Sequence, residues 1–138
     1  YFSAGAAAFA AGHVLYIWAL VALSGVRLVA ALPVFIVGYA AALVCGWRGK
    51  VNAGKLTLCA VVYIALVVFM GATACAAAAR SFSVGTLMFA AAGVCFSVSD
   101  CILCVYCYGS KKTDGMNAAI HATYYAAQML IAWSIALV

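Results

Sequence analysis

Acid is what this sequence has least of. Asp100 and Asp114 are its only carboxylate side chains, against seven Lys and Arg. Charged residues of every kind make up 7% of the 138. A soluble domain carries about 25%, so a water-facing surface cannot be covered with what is here. Proline occurs once, at Pro33, one turn into an apolar segment where a helix tolerates it best. No basic stripe interleaved with aromatics occurs, which leaves no nucleic-acid surface. No stretch has the charged, apolar and cleavage regions of a signal peptide.

The seven cysteines, Cys45, Cys59, Cys75, Cys95, Cys101, Cys104 and Cys107, all fall in apolar runs of helix length. An odd number inside such runs is no disulfide framework. "CILCVYC" contains a CxxC, but on an apolar helix it lacks the loop geometry of a zinc knuckle. No metal site and no cofactor is expected.

What is present is apolar: 71% of residues. Charges and turn residues cut the chain into five apolar segments, from about Phe2 to Ser24, Leu28 to Gly46, Leu56 to Ala79, Val84 to Tyr108, and Asn117 to the end. Each has roughly the 20 residues that cross a bilayer as helix. Barrel strands would be about half as long and would alternate. The fold class is therefore all-α: a polytopic membrane helix bundle of five transmembrane helices, with residues 1–138 as a single domain. The chain opens on Tyr1 in place of Met and ends in "IAWSIALV", and it reads as the C-terminal part of a larger membrane domain.

Short connections make successive helices antiparallel neighbours. One set of alternate loops receives Arg48, Lys50, Lys55, Lys111 and Lys112, and the other only Arg27 and Arg80. The positive-inside rule puts the first set in the cytosol. The abundant Ala and Gly, as in "GATACAAAA", let membrane helices pack closely.

Few polar groups lie inside the segments. His13 and Tyr16 share a face of the first. Asp100, beside Ser97 and Ser99, is in the fourth. His121, Tyr124, Tyr125 and Gln128 stand at i, i+3, i+4 and i+7 in the fifth, a single polar stripe expected to turn inward. Asp100 lies about 8 residues, or roughly 12 Å, from the cytosolic end of its helix. His121 enters at comparable depth from the same side. The expectation is that Asp100, His13 and His121 converge in one cavity. An intramembrane acid is a functional residue by default. For the others the plain alternatives are packing, aromatic filling and, for Ser97 and Ser99, hydrogen bonds to their own helix.

"GAAAFAAGHVLYI", then "GVCFSVSDCIL", then "YYAAQMLI" together resemble the YhhN-like lysoplasmalogenase family. The matching positions are Gly5, Phe9, His13 and Tyr16, then Gly93, Phe96, Ser99 and Asp100, then Tyr125, Ala127 and Gln128. They keep their order across the chain. The resemblance implies about eight membrane helices against the five segments found here, with a further aspartate just upstream of the His13 helix. It also implies an activity: hydrolysis of the vinyl ether bond of a lysoplasmalogen, giving a fatty aldehyde and a glycerophospho-ethanolamine or -choline. The substrate would be a lysophospholipid within the membrane.

The chemistry suits the residues. A vinyl ether is cleaved by protonation of its β-carbon and capture of the resulting oxocarbenium ion by water. Burial favours a carboxyl's protonated form, the form such an acid needs. Asp100 is the expected acid, with His13 or His121 placing the water. Tyr16, Ser99, Tyr124, Tyr125 and Gln128 are expected to hold the substrate. The resemblance places the protein as a multi-pass integral membrane protein, in the endoplasmic reticulum of a eukaryote or the inner membrane of a bacterium, with a homo-oligomer left open. Two other readings compete. One is a metal-dependent intramembrane lipid hydrolase using His13, His121 and Asp100. The other is a small membrane transporter, for which an internal repeat would speak; the His13 and Asp100 helices do not align.

Overall fold

The computed structural model describes residues 2–137, and among the described residues it holds five α-helices and no strand. α1 spans Phe2–Ser24, α2 Leu32–Arg48, α3 Thr57–Arg80, α4 Val84–Tyr108 and α5 Asp114–Ile135. Tyr1 and Val138, the outermost residues of the expected bundle, lie outside the described residues.

Among the described residues four stretches are long and apolar enough to cross a membrane: Ala4–Ser24, Leu28–Arg48, Gly54–Arg80 and Val84–Tyr108. This marks the chain as a multi-pass membrane protein. α5 has comparable length at 22 residues. Asn117, His121 and Gln128 dilute its apolar character, and it stands outside that group of four.

Local chemistry sets the helix ends. Leu28–Ala31 forms one turn of 3-10 helix ahead of α2, and Pro33 sits in the first turn of α2. There its missing N–H removes no hydrogen bond. α1 stops at Gly25, whose φ of 63° is left-handed and whose N–H returns to the Val21 carbonyl at 2.9 Å; glycine takes that conformation without steric cost. α4 opens on a capping box between Ser83 and Thr86. α5 begins three residues earlier than the apolar pattern predicts, at Asp114. The Thr113 hydroxyl accepts from the Met116 N–H at 3.2 Å, and Asp114 lies in the first turn, where the helix dipole favours an anion.

Hydrogen bonds sort the loops into two ends. The Asn52 N–H donates to the Tyr108 carbonyl at 2.9 Å, and the Ser110 N–H to the Gly49 carbonyl at 3.1 Å. The loops carrying Lys50, Lys55, Lys111 and Lys112 are thus joined at one end of the bundle. At the other, the Arg80 Nε–H donates to the Ser24 carbonyl at 3.2 Å, tying the first turn to the third.

α3 and α4 are central. α4 packs on α3 and α5, and α3 also carries α1 and α2. Met70, Ala92, Phe96, Ala127 and Ile131 form a buried cluster from α3, α4 and α5.

Candidate active site

Asp100 points into the bundle from α4 and is 7% exposed. Its Oδ2 accepts a hydrogen bond of 2.8 Å from the Tyr63 hydroxyl of α3. No second protein partner of the carboxyl is found among the described residues. Both side chains line a cavity of about 740 Å³ between α1, α3 and α4. Its remaining wall is apolar: Ala6 and Phe9 from α1, Leu58 and Val62 from α3, Leu103 and Cys107 from α4. Leu56 and Tyr108, also in the wall, adjoin the joined loops, so the cavity occupies the basic-loop half of the bundle. It pairs one acid with space for an apolar chain.

His13 is 1% exposed. Its Nδ1 bonds the Phe9 carbonyl at 2.7 Å, a bond that needs the proton on Nδ1 and leaves Nε2 with the lone pair in the neutral ring. Nε2 is the one buried side-chain nitrogen or oxygen without a partner among the described residues. Aromatic edges hold the ring: Phe96 at 5.1 Å between centroids, Tyr63 at 6.1 Å and Tyr16 at 6.4 Å. His13, Tyr63 and Asp100 therefore form one chain of contacts across three helices.

An acid buried in a membrane bundle, an apolar cavity that it lines, and a buried histidine behind the cavity wall, packed on the tyrosine that bonds the acid, fit the motif residues quoted above. The model of the YhhN family matches residues 1–135. The chain belongs to the YhhN family. No curated protein and no solved structure matches it. Membership in the YhhN family is consistent with a hydrolase.

The other YhhN motif residues take several roles. Ser99 is buried, and its hydroxyl donates to the Ile120 carbonyl at 3.1 Å; it ties α4 to α5 and does not line the cavity. Tyr16 packs on His13 and on Phe89. Tyr124 lies between Phe9 at 6.2 Å and Phe96 at 5.5 Å, and its hydroxyl accepts from Gln128 Nε2 at 3.3 Å.

His121 does not join Asp100 and His13. It is exposed, its Nδ1 bonds the Asn117 carbonyl at 2.8 Å, and its ring neighbour is Tyr125, 60% exposed. The inward polar stripe expected on α5 is thus only half realised. α5 turns Ile120, Ala127, Ile131 and Ser134 to the core. At 3.6 residues per turn that line lies roughly 100° round the helix from the His121–Gln128 stripe. Small and apolar groups pack best against α4, so the polar stripe falls on the shoulder. Tyr124 and Gln128 are half-buried there, and His121 and Tyr125 face outward. Among the described residues no three His, Cys, Asp or Glu side chains come together to hold a metal, so the ligand set of the metal-dependent alternative is not assembled.

Tyr63 is the site residue that the sequence reading passed over. A single Tyr near one end of an apolar helix reads as an interfacial aromatic, and nothing local in "VVYIAL" links it to an acid 37 residues on.

Proposed function

We propose that this chain carries the acid site of a lysoplasmalogenase. It cleaves the vinyl ether bond of a lysoplasmalogen to a fatty aldehyde and a glycerophospho-ethanolamine or -choline. The observation that carries the reading is Asp100, an acid in the wall of an apolar cavity within the membrane layer. The alkenyl chain lies along Phe9, Leu58 and Leu103, and the headgroup faces the basic-loop end.

Asp100 gives its proton to the β-carbon, and the ether oxygen stabilises the cation at the α-carbon. Water adds to that carbon and passes a proton to His13 Nε2, the atom left without a partner among the described residues. The hemiacetal then collapses. His13 returns its proton to the departing glycerol oxygen, and the Asp100 carboxylate takes the proton of the hemiacetal hydroxyl. The net change is one water consumed, with both side chains restored. A single-chain lipid reaches the cavity sideways from the bilayer. The transporter reading has less support, because the cavity wall is drawn from one half of the bundle.

The test is direct. The full-length protein, purified in detergent, is mixed with a lysoplasmalogen and with the ester-linked lysophospholipid of the same headgroup. Aldehyde released from the first and no fatty acid from the second is the expected result. Absence of aldehyde from well-folded protein overturns the proposal.

A further inference from the structure

Tyr63 and Asp100 make a part-buried hydrogen bond between residues distant in sequence. Tyr63 lies on α3 and Asp100 on α4, and both side chains face the cavity at 2.8 Å from each other. A tyrosine hydroxyl has one proton to give. It is given to Oδ2, so Oδ2 is turned toward α3 and Oδ1 is the oxygen left for the cavity.

We infer that Tyr63 is the positioning residue of the Asp100 acid: it holds the carboxyl so that the proton is delivered from Oδ1, and it steadies the carboxylate that delivery leaves behind. The inference rests on reading Asp100 as the acid of the proposed reaction. In the step itself the Oδ1–H bond breaks and a C–H bond forms at the β-carbon. The Oδ1–H electron pair stays on the carboxylate, and the π pair of the vinyl ether makes the new bond. As charge builds on the carboxyl, the Tyr63 bond changes from neutral to charge-assisted, which is roughly twice as strong. A contact that strengthens on the way to the transition state acts on kcat and leaves substrate binding nearly alone.

The edge contact between Tyr63 and His13 adds a second constraint. With centroids 6.1 Å apart and planes at 79°, the ring of Tyr63 is wedged against His13 while its hydroxyl reaches Asp100. One side chain thus spaces the acid from the histidine.

The experiment uses Tyr63→Phe in the full-length protein, which removes one oxygen and keeps the ring. Lysoplasmalogen turnover and the infrared carboxyl band of Asp100, isolated by subtracting the Asp100→Asn spectrum, are read on the same preparation. The expected result is a fall in kcat of about tenfold, KM within about twofold, and a displaced Asp100 band. Tyr39→Phe is the control: its hydroxyl donates to the Val61 carbonyl at 3.2 Å on an exposed face, and it should change neither readout. If Tyr63→Phe does not fold, difluorotyrosine at position 63 keeps the ring and sharpens the donor, and the band should then move the opposite way. A displaced band with unchanged kcat overturns the catalytic role, and an unmoved band overturns the hydrogen bond. If wild-type protein releases no aldehyde, the lysoplasmalogenase reading falls, and the band alone decides whether Tyr63 orients Asp100.

Discussion

Gly71 of α3 and Gly93 of α4 meet backbone to backbone: a Cβ built on Gly93 would lie 2.8 Å from the Gly71 Cα, and one on Gly71 would lie 3.0 Å from the Gly93 carbonyl oxygen. This crossing sets the register of the site. Tyr63 precedes Gly71 by eight residues and Asp100 follows Gly93 by seven. At 1.5 Å per residue both lie roughly 10–12 Å from the crossing, on the same side of it. Close approach of small residues is how membrane helices gain packing contact. Gly93→Ala forces backbone apart where no side chain can yield. Overpacking of this kind costs about 1–3 kcal/mol. The expected outcome is a lower thermal unfolding midpoint in detergent together with reduced turnover, as Tyr63 and Asp100 separate. An unchanged midpoint would mean that the helices do not cross here.

Asp100→Asn keeps the shape of the side chain and removes the proton. Turnover of lysoplasmalogen should fall at least 10²–10⁴-fold, the usual contribution of a general acid, with the protein still folded by thermal scan. His13→Gln keeps a polar group near the water but cannot take up a proton as imidazole does. Its loss should be smaller than that of Asp100→Asn, and the ranking is read from kcat of the two variants side by side.

The two histidines should separate cleanly. His121 is exposed beside Tyr125, whereas His13 is 1% exposed among Phe96, Tyr63 and Tyr16. His121→Ala should keep activity within about twofold, in line with the roughly 0.5 kcal/mol or less usual for surface changes. A loss equal to that of His13→Gln would place His121 in the chemistry.

The joined loops predict a common side. With the Asn52 N–H on the Tyr108 carbonyl and the Ser110 N–H on the Gly49 carbonyl, single cysteines at Asn52 and Thr113 must label from the same face of the membrane. The excess of Lys and Arg there puts that face in the cytosol. In a cysteine-free background, an impermeant thiol reagent applied to intact cells should leave both unlabelled until the membrane is opened. Labelling of both from outside would reverse the orientation, and labelling of one only would break the loop pairing.

Composition and apolar run lengths were enough to determine a helical membrane bundle, because a bilayer admits few ways to satisfy a backbone. The ends of α1 and α4 were readable too: Gly25 and the Ser83–Thr86 pair are local devices that work within one turn. The start of α5 was readable only in part, since the Thr113 cap lies outside the apolar pattern. Asp100 and His13 stood out because polar groups are costly in hydrocarbon wherever they fall. Their convergence was expected from matching depth, but the Tyr63 link between them did not stand out. That link depends on α3 and α4 crossing at Gly71 and Gly93, a contact between residues 22 apart. The facing of α5 was likewise a tertiary matter. Its period marked a polar stripe, but packing against α4 selected the line of Ile120, Ala127, Ile131 and Ser134, and a helix can turn only one line to its neighbour. Periodicity states which residues share a face, and only the neighbouring helix decides which face is turned inward.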